Sequence, residues 1–158
     1  MRVWLGFVGL GVTLTIVLLA TLWPTPLDQG YEGAINRFLS VLHRSGVPLW
    51  FGYDKLEFTS NIIMFVPLGF LVALLLPQKM WWLAFVVCPG ISVAIEMTQA
   101  VALSARFATP LDVVSNSIGA LAGILLALVL RGLVYRRDQM VIARALWDRL
   151  PDPSRHVA

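Results

Sequence analysis

The chain has 158 residues, of which 58% are hydrophobic and 13% charged. Soluble domains average roughly 45–50% apolar and about 25% charged residues, so this composition excludes a single water-soluble core and points to a membrane protein. The net charge of +3 comes mostly from the last 28 residues, which hold six arginines. A basic tail beside apolar segments reads as a topology signal, and nucleic-acid binding is not expected.

Segment one covers residues 3–23 and contains no charge. A membrane-spanning helix needs about 20 apolar residues, and this run has them. Arg2 resembles the basic start of a signal peptide, but the apolar run is too long for one and no small-residue cleavage site follows. We read it as an uncleaved first span, ended by Pro24 and Pro26.

The stretch from Thr25 to Glu57 is the only long connection. Within it Ile35, Phe38, Leu39 and Leu42 fall on one helical face, with Glu32, Arg37 and Arg44 off that stripe. This predicts a short amphipathic helix on the membrane surface that caps the bundle. Gly46 and Pro48 stop it, and Trp50, Phe51 and Tyr53 mark the interface.

Segment two is predicted over residues 58–76, opened by a capping box of Asp54 and Glu57. It carries Asn61 near its start and Pro67 in mid-span, where a membrane helix tolerates a kink. Segment three is predicted over 80–103 and segment four over 111–130. Thr109 is the expected N-cap of segment four, with Pro110 at the first helical position and Asp112 at the third. Gly119 and Gly123 form a small-xxx-small pair that admits close approach of another helix, so an oligomer through this pair is one expectation. Residues 131–158 form a basic tail, with a second amphipathic helix predicted near 139–150 around Trp147. The fold class expected is therefore an all-α, four-helix membrane bundle over residues 1–130, with a surface helix in the first loop.

Lysine and arginine accumulate on the cytoplasmic side of membrane proteins. Arg2, Lys79 and the six tail arginines fall on one side of four spans, so both termini are expected in the cytoplasm of a bacterial cell membrane. Glu57 and Asn61, Glu96 and Gln99, and Asp112 and Asn116 then all lie toward the outer leaflet. Ser92, Glu96 and Gln99 share one helical stripe, and Asp112, Asn116, Gly119 and Gly123 share another.

NIIMFVPLGF at residues 61–70, then Glu96 and Gln99 as E-x-x-Q, then Arg106, Asp112, Asn116 and Gly119 in order, resembles the VanZ-like family. These small bacterial membrane proteins are named after an accessory protein that raises resistance to the glycopeptide teicoplanin. The resemblance spans about residues 54–130. It implies a four-helix integral membrane protein of the cell envelope. Many members carry a further acidic residue between the arginine and the aspartate; this chain has none between Arg106 and Asp112.

Polar side chains inside a bilayer pair with one another, face a bundle interior or act on a ligand. Three readings follow. In the first, Asn61, Glu96, Gln99, Arg106, Asp112 and Asn116 line a pocket for an amphipathic envelope lipid, a lipid-linked cell-wall precursor or a lipoglycopeptide. In the second, Glu96 is a general acid or base acting on such a lipid, with Arg106 holding its phosphate or carboxylate. In the third, the set only locks the helices, for example through a Glu96–Arg106 or Arg106–Asp112 pair, and Glu57 and Asp112 serve as helix caps. Cys88 is read as packing. His43 and His156 are expected on opposite sides of the membrane, and the chain has no Cys/His ligand cluster, phosphate loop or Ser–His–Asp set. No metal or cofactor is expected.

Overall fold

The protein is described here by a computed structural model covering residues 2–22, 30–102 and 109–148. It is all-α. The helices are α1 (Arg2–Leu22), α2 (Glu32–Arg44), α3 (Tyr53–Leu75), α4 (Ala84–Ala102) and α5 (Pro110–Trp147), with one 3-10 turn at Trp81–Leu83. All but α2 are long and apolar enough to cross a membrane. Such segments form helices in lipid because every backbone N–H and C=O is then satisfied within the segment.

The most extensive contact joins α3 and α5, which run parallel. Glycine makes this possible. A Cβ on Gly119 would lie 2.9 Å from both the Cα and the carbonyl carbon of Ile62. One on Gly123 would lie 2.6 Å from the backbone N of Phe70, and one on Gly69 2.7 Å from the Cα of Ala120. The two backbones therefore touch. The surface that Gly119 and Gly123 were expected to offer a second copy is covered by α3 of the same chain, and both glycines are buried.

Helix α4 lies against α5 in the opposite direction, and α1 packs on α3 through Gly6 and Gly9, over which Leu75 and Leu71 lie. The core where α1, α3, α4 and α5 meet is filled by Val17, Phe65, Leu68, Cys88 and Ile124, all at most 1% exposed. Burial confirms Cys88 as a packing residue. Among the described side chains of α1 only Val17 and Thr21 are buried; most of the others stay exposed, as suits a peripheral, lipid-facing helix.

Three local expectations are corrected. Helix α3 starts at Tyr53 rather than near residue 58, after Gly52 in an extended conformation with no side-chain cap. Asp54 is already in its first turn and Glu57 is further in, so they do not form a capping box. The 3-10 turn at Trp81–Leu83 precedes α4, which ends at Ala102. The tail does not begin a separate surface helix, because α5 continues unbroken to Trp147. Its 38 residues extend about 57 Å, nearly twice the roughly 30 Å hydrocarbon core of a bilayer.

The surface helix in the first connection is present as α2. It stands largely apart from the four long helices. Leu39 is buried, while Phe38 and Val41 on the same apolar arc are about half exposed. Gly46 ends it at a positive φ of 98°, with Val47 N–H donating to Leu42 O at 3.1 Å. That left-handed turn is the glycine C-terminal motif, strained for any other residue. The His43 ring then donates from Nε2 to Phe51 O at 3.0 Å and ties the loop back toward α3.

Candidate functional site

The bundle has two polar ends of different character. At one, α3 and α5 begin and α4 finishes. There Asn61 Nδ2 donates to Asp112 Oδ1 at 2.9 Å, joining α3 to α5. Thr109 Oγ1 donates to Asp112 Oδ2 at 2.9 Å. Thr109 is the N-cap residue as expected, in an extended conformation with Pro110 next. Its hydroxyl, however, serves the Asp112 side chain instead of the helix backbone. Asp112 therefore spends its carboxylate on two side chains, and its expected role as a simple cap is replaced by that of a junction.

Glu96 reaches this junction from α4. Its carboxyl accepts from the Thr109 backbone N–H and lies within hydrogen-bonding reach of the Asp112 carboxyl. Glu96 is 9% exposed, while Asp112, Asn61 and Thr109 are partly exposed, so the pair is approached from the end of the bundle. Two adjoining carboxyls in such a place need a shared proton or a positive group between them. Among the described residues no lysine or arginine supplies it. Nor does a third His, Cys, Asp or Glu join to make a metal-ligand group among those residues.

One turn deeper, Asn116 Nδ2 donates to Ser92 Oγ at 3.0 Å across the α4–α5 seam. Asn116 is 2% exposed, and its Oδ1 has no hydrogen-bond donor. Further along the same stripe of α4, Gln99 Nε2 donates to the Thr21 backbone carbonyl at 2.7 Å, fastening α4 to α1. The six candidates thus divide. Asn61, Glu96 and Asp112 come together, Asn116 lies directly below them, and Gln99 faces α1. Arg106 and the ion pairs expected of it lie outside the described residues, as does His156.

At the opposite end a residue not singled out by the sequence closes the bundle. Arg131 Nη2 donates to the carbonyls of Leu74, at 2.9 Å, and Leu76. It caps the last turn of α3, whose final carbonyls lack partners within the helix. The available signal was its place directly after the apolar run that ends at Leu130. Thr21 was also missed, because it contributes a backbone carbonyl and so leaves no side-chain signal.

Neither the curated proteins nor the solved structures give a match to this chain. The VanZ/LLP1 family profile does, over residues 7–131, a stretch that takes in α2, α3 and α4, α1 from Phe7 onward, and α5 as far as the capping Arg131. With four helices long and apolar enough to span a bilayer, and a family match over most of its length, the chain is a multi-pass membrane protein that belongs to the VanZ/LLP1 family.

Proposed function

We propose that this protein binds the polar head of an amphipathic envelope molecule in the outer leaflet of the bacterial cell membrane. The ligand class is a membrane lipid, a lipid-linked cell-wall precursor or a lipoglycopeptide. Through such binding the protein alters glycopeptide susceptibility. Glu96 and Asp112 are the anchoring pair, with Asn61 beside them, Asn116 below and Arg106 in the connection from α4 to α5; Gln99 holds α4 to α1. The observation that carries this reading is the buried Glu96 carboxyl set against a second carboxyl with no cation beside it among the described residues. A carboxylate is kept in such a place at considerable cost unless a partner meets it.

Photoactivatable phospholipid and polyprenyl-phosphate analogues test the reading in membranes containing wild type or Glu96→Gln. Crosslinking that falls with Glu96→Gln, while the helix content is retained, supports it. Equal crosslinking to both sinks it. Teicoplanin susceptibility of cells expressing the two forms provides the cellular counterpart.

The second reading is that the polar set only locks the helices. It is favoured by the Asn61–Asp112, Asn116–Ser92 and Gln99–Thr21 hydrogen bonds, each of which joins two helices. Under it, Glu96→Gln, Asn61→Ala and Asn116→Ala would lose function only in proportion to lost thermal stability.

A further inference from the structure

We propose that the outward face of α5 pairs two copies of this chain, side by side and parallel, into a helical dimer that begins in the membrane and continues beyond it.

This face lies opposite the one that Gly119 and Gly123 turn toward α3. Counted from Leu111 in alternating steps of three and four, it runs through Val114, Ile118, Leu121, Leu125 and Leu128, all exposed or half-buried. Inside the bilayer such a stripe faces lipid and needs no partner. Arg131, however, closes the bundle on the carbonyls of Leu74 and Leu76, and from Gly132 to Trp147 every residue of α5 is exposed. The same steps continue through that stretch without a break, to Gly132, Tyr135, Gln139, Ile142 and Leu146. Tyr135, Ile142 and Leu146 stand 59%, 52% and 61% exposed, with neither lipid tails nor bundle to cover them.

The neighbouring stripes of this stretch carry charge. The one through Leu133, Met140 and Trp147 is interrupted by Arg137 and Arg144, and the one through Val134 and Val141 by Asp138. The stripe from Tyr135 to Leu146 holds only the uncharged amide of Gln139. Apolar residues sustained at this spacing over about five heptads mark a coiled coil, and a strict seven-residue period winds the pair left-handed. From Leu111 to Leu146 the seam is about 52 Å long at the standard helical rise.

Symmetry and charge identify the occupant as a second copy. Copies inserted in the same sense in one membrane present α5 in parallel, and a twofold axis along the membrane normal sets each seam residue against its equivalent. Gln139 then meets the partner's Gln139. An amide both donates and accepts, so it pairs with its own kind, and a single polar residue at such a position fixes the register. The flanks are of opposite sign, with Asp138 bordering the seam on one side and Arg136 on the other. The twofold axis brings the Asp138 side of each copy against the Arg136 side of its partner. A membrane surface fits less well, because α5 would have to turn sharply to lie on it, and the helix passes Gly132 unbroken. The pairing adds no contact within either bundle, so the fold of a single bundle does not depend on it.

The test uses the full chain in proteoliposomes, with Cys88 retained because it is buried. One cysteine is added at Leu146, on the seam, or at Arg144, on nearly the opposite side of the helix. Mild oxidation is expected to give at least tenfold more disulfide-linked dimer with Leu146→Cys than with Arg144→Cys. Native mass spectrometry of the chain without an added cysteine should show a dimer that dilution in lipid converts to monomer. Gln139→Lys should shift it to monomer with helix content retained, while Gln139→Asn keeps it. Asp138→Arg should weaken the dimer, and adding Arg136→Asp should restore it. Equal crosslinking at the two positions overturns the proposal, as does a chain that is monomeric at every protein-to-lipid ratio, or a dimer indifferent to Gln139→Lys. Crosslinking of Leu146→Cys to a different protein overturns it in favour of another partner. Protection of the seam in a monomer, only when anionic lipid is present, overturns it in favour of the membrane surface.

Discussion

Replacing Gly119 with alanine adds one methyl group at the closest approach of two helices. That methyl would lie 2.9 Å from the Cα and carbonyl carbon of Ile62, and nearer still to its carbonyl oxygen, where ordinary contact begins at 3.4 Å. The obstacle is backbone, which cannot rotate aside, so α3 must retreat by more than half an ångström. Over-packing of this kind costs about 1–3 kcal/mol, or up to roughly a hundredfold in the folding equilibrium. The same retreat would stretch the 2.9 Å Asn61–Asp112 bond, whose donor is adjacent to Ile62 in sequence. Gly132→Ala is the internal control. It lies on the same helix with nothing within 4 Å of the added methyl. There the change should stabilise by about 0.5–1 kcal/mol, the usual gain for alanine over glycine in a helix. Reversible unfolding of both variants in mixed micelles gives the comparison. If Gly119→Ala proves no less stable than Gly132→Ala, the backbone contact between α3 and α5 is wrong.

Gln99→Leu removes the bond to the Thr21 carbonyl and should cost about 0.6–1.7 kcal/mol, the range of interhelical hydrogen bonds in membranes. Crosslinking between cysteines placed on α1 and α4 should fall in parallel, and unchanged crosslinking would count against the fastening role. Arg131→Met leaves the Leu74 and Leu76 carbonyls without their donor. Loss of a charged hydrogen bond costs about 1.5–3 kcal/mol. Hydrogen exchange should rise in the last turn of α3 and not in its first; a uniform change would contradict the capping. Truncation after Tyr135 should leave the unfolding midpoint of the bundle unchanged, because the part of α5 beyond Arg131 is exposed throughout. A lowered midpoint would show that this part packs on the bundle.

Much of this architecture was legible from residue spacing. Apolar runs long enough to span, the i, i+4 stripes and the one-sided placement of lysine and arginine were enough to assign Asn61, Glu96 and Asp112 to one level, and in the structure they meet there. Other features were hidden for physical reasons. The length of α5 was obscured because hydropathy falls at Arg131, and a fall in hydropathy ends a span without ending a helix. From Leu133 to Trp147 there is no glycine or proline, and the Gln, Met, Arg, Ala and Leu residues found there favour helix, so the hydrogen-bond ladder runs on. The start of α3 was misplaced for the same reason, since Tyr53, Asp54 and Lys55 are too polar for a span yet fit its first turn. Gly119 and Gly123 announced a close neighbour without saying whose. The opposing surface is the backbone of Ile62, Val66 and Phe70, side chains that give no small-residue signal of their own.

The unbroken α5 has a mechanical consequence. Gly119, where it is keyed against α3, and Trp147, where it ends, are 28 residues apart, or about 42 Å of helix. A tilt of about 5° around that keyed point would swing the far tip through roughly 4 Å at the standard helical rise. A shift of about 1 Å beside Asp112, seven residues from that point, would thus become a displacement comparable to the width of a side chain at the far end of the helix. Helix α5 is a lever whose short arm carries Asp112 and whose long arm runs beyond the packed part of the bundle.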